Sequence, residues 1–566
     1  MVTDATRSGD VLFSGGRVFT AGLARSERRD VLVRDGVIRG VGAPGSFDEV
    51  AAGIEGLERV DVGDGMLLPG FQDAHCHPVP AGIEMLQCDL SHAGSAAEAL
   101  ETVRRYAAGG ADWVLGGGWT MDHFAGGSPT REALDAVTGD RPAYLVSRDH
   151  HSAWVNSSAL ARAGITAETP DPADGRIERR PDGSPAGTLH EGAMTVLDVV
   201  KPAPDAELAY RGLLAAQKHL HSLGITGWQD ALVGDGLGFV DAFPVYLRAA
   251  EEGTLEARVT AALWWARDRG PEQLEHLIER RALAAASPTG PSGGFVADTV
   301  KMMLDGIVEN QTAAIHGHYE LPGVPHSGLD FIDPERLGEY VGLLDANGFS
   351  VHFHALGDRA VSQALDALGG TGANEALGGD SQPGRASALP TSRRHQLAHL
   401  QLVADADLER FARLGAIANL QAYWAYLDEQ LRVLSLPVLP PGSVDHTYPF
   451  GRIAHAGARL AFGSDWPVST ADPLAAVHVA VNRTDPDEPG ASPLGRADDR
   501  LGLAEALAGY TAGSAEAGAH GALTGRLEPG RLADLALLDR DPFEHPLDRI
   551  AETRVVGTWV GGRRVF

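Results

Sequence analysis

Histidine and aspartate residues with the spacing of metal ligands stand out in this sequence. His75 and His77 end one apolar run, within the segment FQDAHCHP. His354, His399 and Asp465 end three later runs. Residues i and i+2 of a β-strand face the same side, so the two imidazoles of the first pair point the same way. Imidazole and carboxylate groups bind zinc and similar divalent ions. A lone histidine at a strand end is more often a polar core residue, but the joint placement of all five favours one metal site.

These residues need a scaffold that brings the ends of distant strands together. Apolar, strand-like runs alternate with helix-like segments, which is typical of a parallel sheet. Eight runs occur, at residues 67–77, 224–231, 257–265, 298–304, 349–354, 395–399, 416–421 and 459–465. The metal-type residues fall at the carboxyl ends of runs one, five, six and eight, the rim where barrel enzymes carry their sites. The predicted fold class is therefore α/β, a (β/α)8 TIM-like barrel.

Both ends of the chain have the pattern of β-structure. Residues 10–19 and 30–41 are short apolar runs, and the second contains an Asp35-Gly36 hairpin signal. Residues 533–538 and 554–566 have the same character at the other end. Neither end is long enough to bury a sheet face alone. We therefore expect one composite β-sandwich built from both termini, with two separate surface flaps as the alternative.

These patterns predict the domain organisation. Residues 1–68 plus 516–566 should form the sandwich, and residues 69–515 the barrel. The gap between the first and second barrel runs is too long for one strand-to-helix connection. It contains strand-like pieces, which indicates an inserted subdomain after strand 1, at about residues 80–205. Residues 371–394 are rich in Gly, Ser, Ala and Pro and predict a surface loop.

Composition and charge narrow the classes of function. The 566-residue chain carries 47 basic and 76 acidic side chains, a net charge of −29. This balance argues against a nucleic-acid partner, because phosphate binding needs clustered Lys and Arg. The chain has two cysteines, no secretory h-region and no apolar run of about 18 residues. We expect a cytoplasmic protein with a small-molecule substrate and no membrane partner. The oligomeric state stays open, a homo-oligomer included.

Six motifs between residues 68 and 535 are similar to those of a known family. They are LPGFQDAHCH (68–77), DHHSAWVN (149–156), VKMMLDG (300–306), HALGDRA (354–360), GSDWPV (463–468) and GRLADL (530–535). With them the chain resembles the amidohydrolase superfamily, and within it the YtcJ-like branch of amidohydrolase family 3, which includes N-substituted formamide deformylases. The HxH motif is common, whereas the last three motifs together are more specific. The resemblance also implies the composite sandwich and the inserted subdomain.

The resemblance implies a ligand set for one or two divalent ions, expected to be zinc. Its members are His75, His77, Lys301, His354, His399 and Asp465. Lys301 is the unusual one, because a free ammonium beside a dication would be repelled. In many amidohydrolases this lysine is carboxylated by carbon dioxide and bridges two metals, and we expect the same here. The alternative is a plain lysine, neutralised by its surroundings or paired with Asp305.

Asp465 is the candidate catalytic residue. A carboxylate beside a bound ion can take the proton of the attacking water and hand it to the leaving amine. The alternative is that Asp465 only ligates metal.

Other polar and aromatic residues near the motifs are candidate substrate contacts. They are His151, Trp154, Asn156, Trp119, Trp424 and Trp466. Trp466 directly follows Asp465 and is best placed to line a pocket, whereas for the others core packing is the competing interpretation. Cys76 should face the opposite side of its strand from its histidine neighbours, so we do not expect a nucleophile there. Glu191 receives no role from its sequence context.

The expected reaction is hydrolysis of a carbon–nitrogen bond in a linear amide or N-substituted formamide. Deamination and hydrolysis of a cyclic amide or carbamate are alternatives on the same barrel. Mononuclear deaminases of the superfamily usually have no metal-binding lysine on strand four, so Lys301 argues against them. Non-redox decarboxylation is a further alternative. A non-catalytic binding protein would require the metal set to be unused.

Overall fold

An eight-stranded parallel sheet is the centre of the molecule. The computed structural model describes residues 9–172, 174–290, 293–321, 323, 325–370, 393–488 and 490–566. The barrel strands are β1 (Phe71–Cys76), β2 (Ile225–Val233), β3 (Arg258–Trp264), β4 (Gly294–Met303), β5 (Ser350–Ala355), β6 (Gln396–His399), β7 (Ile417–Leu420) and β8 (Arg459–Phe462). Each strand pairs in parallel with the next one in chain order. The predicted fold class is confirmed.

The first predicted run is two strands rather than one. Met66–Pro69 belongs to the terminal sandwich, and β1 starts at Phe71. Gly70 separates them, and a Cβ there would lie 2.3 Å from the Thr226 side chain at the start of β2. Because a larger residue would collide with β2, the chain can pass from sandwich to barrel at this point only through glycine. The sandwich is thereby attached directly to the strand that carries His75.

The segment that follows β8 joins the two ends of the barrel sheet. The sheet order places β8 and β1 at opposite ends of the hydrogen-bonded series. The Asp465 N–H donates to the carbonyl of His75 at 2.6 Å, and the His77 N–H donates to the carbonyl of Trp466 at 2.8 Å. Gly463 allows this approach, because a Cβ there would lie 2.5 Å from the backbone nitrogen of His75. The residues that close the barrel are therefore the residues that carry Asp465.

Strands from both chain ends form the sandwich. One sheet has the order Val37–Gly42, Asp30–Arg34, Val11–Ser14, Glu58–Asp61. The other has the order Arg563–Arg564, Val555–Val560, Leu535–Leu538, Met66–Pro69, Arg17–Val18, Glu27–Arg28. Phe13 of the first sheet packs edge-on against Trp559 of the second, with ring centroids 4.9 Å apart. The two sheets share one apolar core, as expected for a composite sandwich.

The inserted subdomain contains a third sheet. Its strand order is Gly175–Arg179, Pro185–Glu191, Ser152–Val155, Ala143–Ser147, Val114–Trp119, Cys88–Asp89. Apolar clusters cover both faces of this sheet. The insertion connects β1 to the helix that precedes β2, so its strand ends can lie over the barrel rim.

Helices surround the barrel and the insertion. The α-helices are Asp48–Ala52, Pro78–Met85, Ala96–Ala108, Arg131–Thr138, Ser157–Ala163, Ala206–Ser222, Phe243–Glu251, Leu274–Ala286, Pro334–Ala346, Asp358–Gly370, Leu408–Leu414, Phe450–His455, Pro473–Asn482, Leu503–Ala508 and Ser514–Ala517. In the described part of the chain, none of them has the length and apolar character needed to cross a membrane. Residues 371–392 of the predicted 371–394 loop lie outside the described residues.

Candidate metal centre

Asp465 lies between His75, near the end of β1, and His77, directly after it. Its Oδ1 is 3.3 Å from His75 Nε2 and 3.1 Å from His77 Nε2. His399 Nδ1 lies 3.8 Å from Oδ2 of the same carboxylate. All four side chains are buried. These distances bring together residues from β1, the segment just after it, β6 and the segment that follows β8.

The backbone around Asp465 is fixed by the buried carboxylate of Asp73, which lies two residues before His75 in β1. Asp73 accepts hydrogen bonds from the N–H of His75 and the N–H of Ser464, each at 3.0 Å, and from the Ser464 hydroxyl at 2.5 Å. Asp465 itself has a φ of 55°, a value that non-glycine residues seldom adopt. Strained backbone of this kind persists where surrounding contacts over-determine it, as they do here.

His399 is held by its backbone and by an aromatic neighbour. Its φ is 78°, and its N–H donates to Gln421 Oε1 at 2.7 Å. The Trp424 indole stacks on the imidazole, with centroids 5.4 Å apart and planes 3° apart. Within the described part of the chain, neither ring nitrogen of His399 has a hydrogen-bond partner. The ring is thus oriented by stacking, and both nitrogens stay available to a ligand.

His354 is oriented by Asp305, which follows β4. Asp305 Oδ1 lies 3.3 Å from His354 Nδ1. The same carboxylate accepts backbone N–H groups from Ala314, Leu356 and Gly357 at 3.0, 3.1 and 2.9 Å. A carboxylate on one imidazole nitrogen leaves the other to face the centre of the site. The His354 and His399 rings are 4.5 Å apart.

Lys301 and His352 lie below the rim and contact opposite nitrogens of His75. Lys301 Nζ is 3.5 Å from His75 Nε2, and His352 Nε2 is 2.9 Å from His75 Nδ1. Gln229 contacts the other nitrogen of His352. Asp305, offered above as a partner of Lys301, instead contacts His354, and the described residues contain no ion pair between Lys301 and Asp305. Sequence reasoning missed His352, although the HFH spacing with His354 repeats the HCH spacing of β1.

Burial dominates the electrostatics of these groups. Burial and the Lys301 charge lower the pKa of His75 to about 3. Burial likewise holds the pKa values of His354 and His399 well below the usual range. It lowers the pKa of Lys301 to about 7, against the attraction of Asp465. Burial works to raise the pKa of Asp465, but the nearby imidazoles outweigh it and hold that pKa well below 3.8. The cluster therefore presents neutral imidazoles and an ionised carboxylate, the forms that bind metal.

The donor set fits a divalent ion. One ligand atom from each of His75, His399 and Asp465 lies within 4.8 Å of the others. Among the described residues, His77 Nδ1 and both His399 nitrogens are buried without a hydrogen-bond partner. Buried polar atoms are normally satisfied, so several orphans around one point indicate a missing partner. Imidazole nitrogen and carboxylate oxygen are ligands suited to zinc and related ions.

A cavity of about 600 Å³ opens over this cluster. His354, His399 and Asp465 form part of its floor, and the predicted contacts His151 and Trp424 line it. Its wall carries eight carboxylate side chains and two guanidinium groups. The carboxylates are Asp122, Asp149, Glu309, Asp428, Glu429, Asp465, Asp485 and Glu488, and the guanidiniums are Arg148 and Arg432. The surroundings of the site are therefore strongly acidic.

Three of the six predicted substrate contacts pack inside the insertion instead of lining the cavity. The Trp119 indole donates to the carbonyl of Leu145, and the Trp154 indole to that of Thr130, both at 2.8 Å. Asn156 accepts the N–H of Ala159 at 3.0 Å and so caps the helix Ser157–Ala163. Core packing, the competing interpretation given above, describes these three residues.

Trp466 also differs from its expectation. Its indole is buried and stacks on His219 of the helix Ala206–Ser222, with centroids 5.0 Å apart. Val468 and Ser469, further along the same loop, line the cavity instead. The expectation rested only on adjacency to Asp465, whereas the Trp466 side chain packs on the helix Ala206–Ser222.

Glu191 lies beside the cavity, in contact with His151. Its carboxylate oxygens are 3.0 and 2.9 Å from His151 Nδ1. Burial works to lower the pKa of His151, but the charge and hydrogen bond of Glu191 outweigh it and raise that pKa to about 9. Sequence reasoning named His151 but not its partner, since the two are 40 residues apart and no spacing rule connects them.

Comparison with known proteins identifies the family that this chain matches. A family model described as the amidohydrolase family matches residues 58–566. The putative amidohydrolase YtcJ of Bacillus subtilis is 28% identical, over 98% of this chain and 99% of its own. An N-substituted formamide deformylase of Arthrobacter pascens is 27% identical, over 98% of each chain.

Solved structures share the fold. An uncharacterised metal-dependent hydrolase from Pyrococcus furiosus aligns with a TM-score of 0.69 and 24% identity. The alignment covers 94% of this chain and 99% of that one, so the sandwich, the barrel and the insertion are all included.

Proposed function

Because the chain belongs to the amidohydrolase family and is a metal-dependent hydrolase, we propose that it cleaves the carbon–nitrogen bond of a linear amide or N-substituted formamide. The observation that carries the proposal is the convergence of His75, His399 and Asp465, with unpartnered His399 nitrogens among the described residues, where His399 and Asp465 line one cavity. The relative named for deformylation of N-substituted formamides, similar over 98% of each chain, supports this choice of bond.

The metal would be held by the predicted set. Its members are His75, His77, His354, His399, Asp465 and Lys301. When bound, a divalent ion, for which we propose zinc, supplies a Lewis acid that polarises the acyl oxygen and makes water more acidic. The chain prepares its ligands in advance, because Asp305 orients His354, Trp424 orients His399 and His352 orients His75. Such outer partners fix the nitrogen that each imidazole offers.

Lys301 is proposed to act as its carbamate. Its Nζ is buried and, among the described residues, has no hydrogen-bond partner other than His75 Nε2. An ammonium there would be desolvated beside a cation-binding cluster and without a carboxylate in contact. The neutral amine, formed when the ammonium gives up a proton, adds to carbon dioxide: a new N–C bond forms, a second proton is released to solvent, and the positive charge is replaced by an anionic carbamate with oxygen donors. The position of the side chain, one level below the rim, suits a group that is longer than lysine itself.

Asp465 is the residue that would move the proton. As water attacks the acyl carbon, its oxygen forms the new C–O bond and its proton passes to the carboxylate. When the C–N bond breaks, the nitrogen takes that proton and leaves as the amine. The carboxylate is ionised and held against β1 by its own backbone N–H, so it is in place before substrate arrives.

The charge of the cavity wall supports release of an amine. At neutral pH most amines are protonated, and the excess of carboxylates over guanidiniums in the cavity lining favours a cation there. Burial raises the pKa of Asp428 to about 7 and also raises that of Glu309, so the other carboxylates contribute most of this charge.

A substrate panel tests the type of bond. Purified, zinc-loaded protein would be incubated with N-formyl amines, N-acyl amines, the matching esters and the matching carboxylic acids. Release of free amine from the formyl or acyl amines is the expected result. Release of carbon dioxide from the acids, of ammonia from amino-heterocycles, or hydrolysis of esters alone would contradict the proposed bond.

Asp465→Asn tests the proton transfer. Asparagine keeps the shape of the side chain but cannot take up the proton, so kcat should fall on the order of 10²–10⁴-fold. Elemental analysis should show that the metal is retained. Asp472→Asn, in the same loop, is the matched control, since Asp472 caps the helix Pro473–Asn482 and asparagine can do the same. A kcat within a few-fold of wild type for Asp465→Asn would refute the role.

A further inference from the structure

His151 and Glu191 form a preset pair at the edge of the cavity. His151 directly precedes the strand Ser152–Val155, and Glu191 is the last residue of the antiparallel neighbouring strand Pro185–Glu191. The Glu191 N–H donates to the carbonyl of His151 at 3.0 Å, and both carboxylate oxygens contact Nδ1 of the imidazole. Backbone and side chain thus join the same two residues, which fixes the direction of the ring.

The carboxylate is held from the barrel side as well. The Thr312 hydroxyl donates to Glu191 Oε1 at 3.0 Å, and the Asn310 amide lies 3.5 Å from the same oxygen. Gly306 leaves room for this contact, since a Cβ there would lie 2.9 Å from Oε1. Glu191 has a φ of 50°, which places it among the residues with strained backbone. The segment that follows β4 is therefore shaped around this carboxylate.

The pair leaves one atom of His151 for a ligand. Nδ1 is committed to Glu191, and no described residue forms a hydrogen bond with Nε2, the other ring nitrogen. The side chain is 12% exposed and lines the cavity, and its ring centroid is 5.8 Å from that of His354. Among the described residues, His151 is the only side chain that forms an ion pair with the buried Glu191. Glu191 holds the ring through Nδ1, so the Nε2 edge of the imidazole is the edge left for the cavity that His151 lines.

We propose that His151 is a catalytic residue that donates a hydrogen bond from Nε2 to the acyl oxygen of the substrate, and that Glu191 is its positioning residue. The inference rests on the proposed function, because it takes an amide as the molecule in the cavity. The acyl oxygen gains negative charge as water adds, and a preorganised donor aimed at that oxygen stabilises the charge. His151 comes from the insertion and lies beside His354, whereas Asp465 comes from the barrel. The two residues therefore contribute to the cavity from different parts of the fold.

Variants of the pair test the assignment by turnover. Loss of one donor to such an oxygen costs on the order of 10²–10³-fold in kcat, which is the expected result for His151→Ala. His151→Gln should retain more activity, because its amide can still donate. Glu191→Gln should cost about 10–100-fold, as removal of an outer partner does. The double variant should be no slower than His151→Ala alone, since Glu191 acts through His151. Losses that simply add would show that Glu191 has a separate structural role.

Glu178→Gln is the matched control. Glu178 lies 3.4 Å from His190 in the same sheet and outside the cavity wall, so this variant breaks a histidine–glutamate contact without touching the site. Its kcat should equal that of wild type. Metal content and thermal unfolding of every variant would be measured alongside, so that a folding defect is recognised.

Binding of acetohydroxamate provides a readout without turnover. This small acyl compound would be titrated by calorimetry into the zinc-loaded proteins. His151→Ala should bind it at least about tenfold more weakly than wild type, and Glu178→Gln should bind it equally well. Wild-type affinity in His151→Ala, or no binding to wild type at all, would overturn the assignment. A different outcome separates the two claims. If no amide in the substrate panel is hydrolysed but His151→Ala clearly binds acetohydroxamate more weakly, the proposed substrate is wrong and the assignment of His151 as a hydrogen-bond donor stands.

Discussion

Two strands of the barrel carry the same pattern of histidines and use it differently. The pair at the end of β1, His75 and His77, lies with both Nε2 atoms within 3.3 Å of Asp465. The pair at the end of β5 divides. His354 stands at the rim beside His399, while His352 lies deeper and contacts His75. An i, i+2 spacing therefore places two side chains on one face without placing both in the metal cluster.

Depth along the strand accounts for the difference. β1 ends at Cys76, and His77 lies in the turn that follows it, so both histidines of the first pair are at the mouth. In the register of β4 and β5, His352 pairs with Lys301 and His354 with Met303. His352 is therefore one level down, with Gln229 on Nδ1 and His75 on Nε2, and both its nitrogens are occupied by the protein. Position relative to the end of the strand thus separates a candidate metal ligand, such as His354, from a residue that orients a ligand, such as His352.

The largest effect is expected from the β1 pair. Changing His75 and His77 together to Ala should reduce metal from one or two equivalents to nearly none and abolish activity, because two imidazole ligands disappear. Elemental analysis of the purified protein is the measurement. The exposed His316 and His318, which have the same spacing outside the barrel rim, provide the control, and their double alanine variant should keep its metal. Full metal content in the first variant would contradict the ligand assignment.

Lys301 shares the level of His352 and should give the next largest effect. Lys301→Ala should lose most metal and activity, whereas Lys301→Glu should recover part of both, because a carboxylate can supply an oxygen where the carbamate would. Metal content with and without added bicarbonate is the measurement, and bicarbonate should help only the wild type. A fully loaded, fully active alanine variant would rule out the bridge.

His352→Gln should have a smaller effect than loss of a ligand. Removal of an outer partner typically weakens metal affinity by about 10–100-fold, and glutamine can retain part of the contact with His75. Competition with a chelator of known affinity measures the change. If His352→Gln lost metal as completely as the His75 and His77 double variant, His352 would be a ligand itself, and the distinction by depth would be wrong.

The smallest effect concerns the packing behind His77. The rings of His77 and His150 both contact Phe239, and His150 Nε2 lies 3.3 Å from Glu84 Oε1. Burial raises the pKa of Glu84 from 4.5 to about 8. Between these two pH values the unfolded chain releases the proton and the folded protein keeps it, so this group makes the folded state less stable as pH rises.

Glu84→Gln removes that penalty. The melting temperature of the variant should therefore rise relative to wild type between pH 5 and pH 8, with metal content unchanged. Glu49→Gln, on an exposed helix, should show no such trend. A constant difference across this range would contradict the raised pKa, and loss of metal would show that the β1 pair depends on its packing.

The sequence predicted those features that short patterns determine. The eight barrel strands were found because each is a local apolar run, and His75, His77, His399 and Asp465 were found because they stand at the ends of such runs. The joining of both chain ends in one sandwich followed from two half-sheets that could not be stable alone.

Features that depend on distant contacts were not predicted. Asp305, Gln421 and Glu191 act on histidines from other elements, and no period or spacing connects them. His352 carried a visible signal in its spacing, but its depth depends on strand register. Trp466 was misplaced because adjacency to Asp465 in the sequence does not determine which side its indole packs on, and the indole stacks on His219. Local patterns thus indicated the candidate ligands, while their supporting contacts depend on tertiary structure.

The closure of the barrel through Ser464 and Asp465 also governs when the site can exist during synthesis. Asp73 and Ser464 are 391 residues apart, and until the later one has left the ribosome the first strand has no neighbour on that side. Contacts of such long range form late, because the loop must close before they contribute. A nascent chain that stops before β8 therefore holds its histidines without their shared carboxylate. The cluster of His75, His77, His399 and Asp465 is then complete only once the last barrel strand is in place.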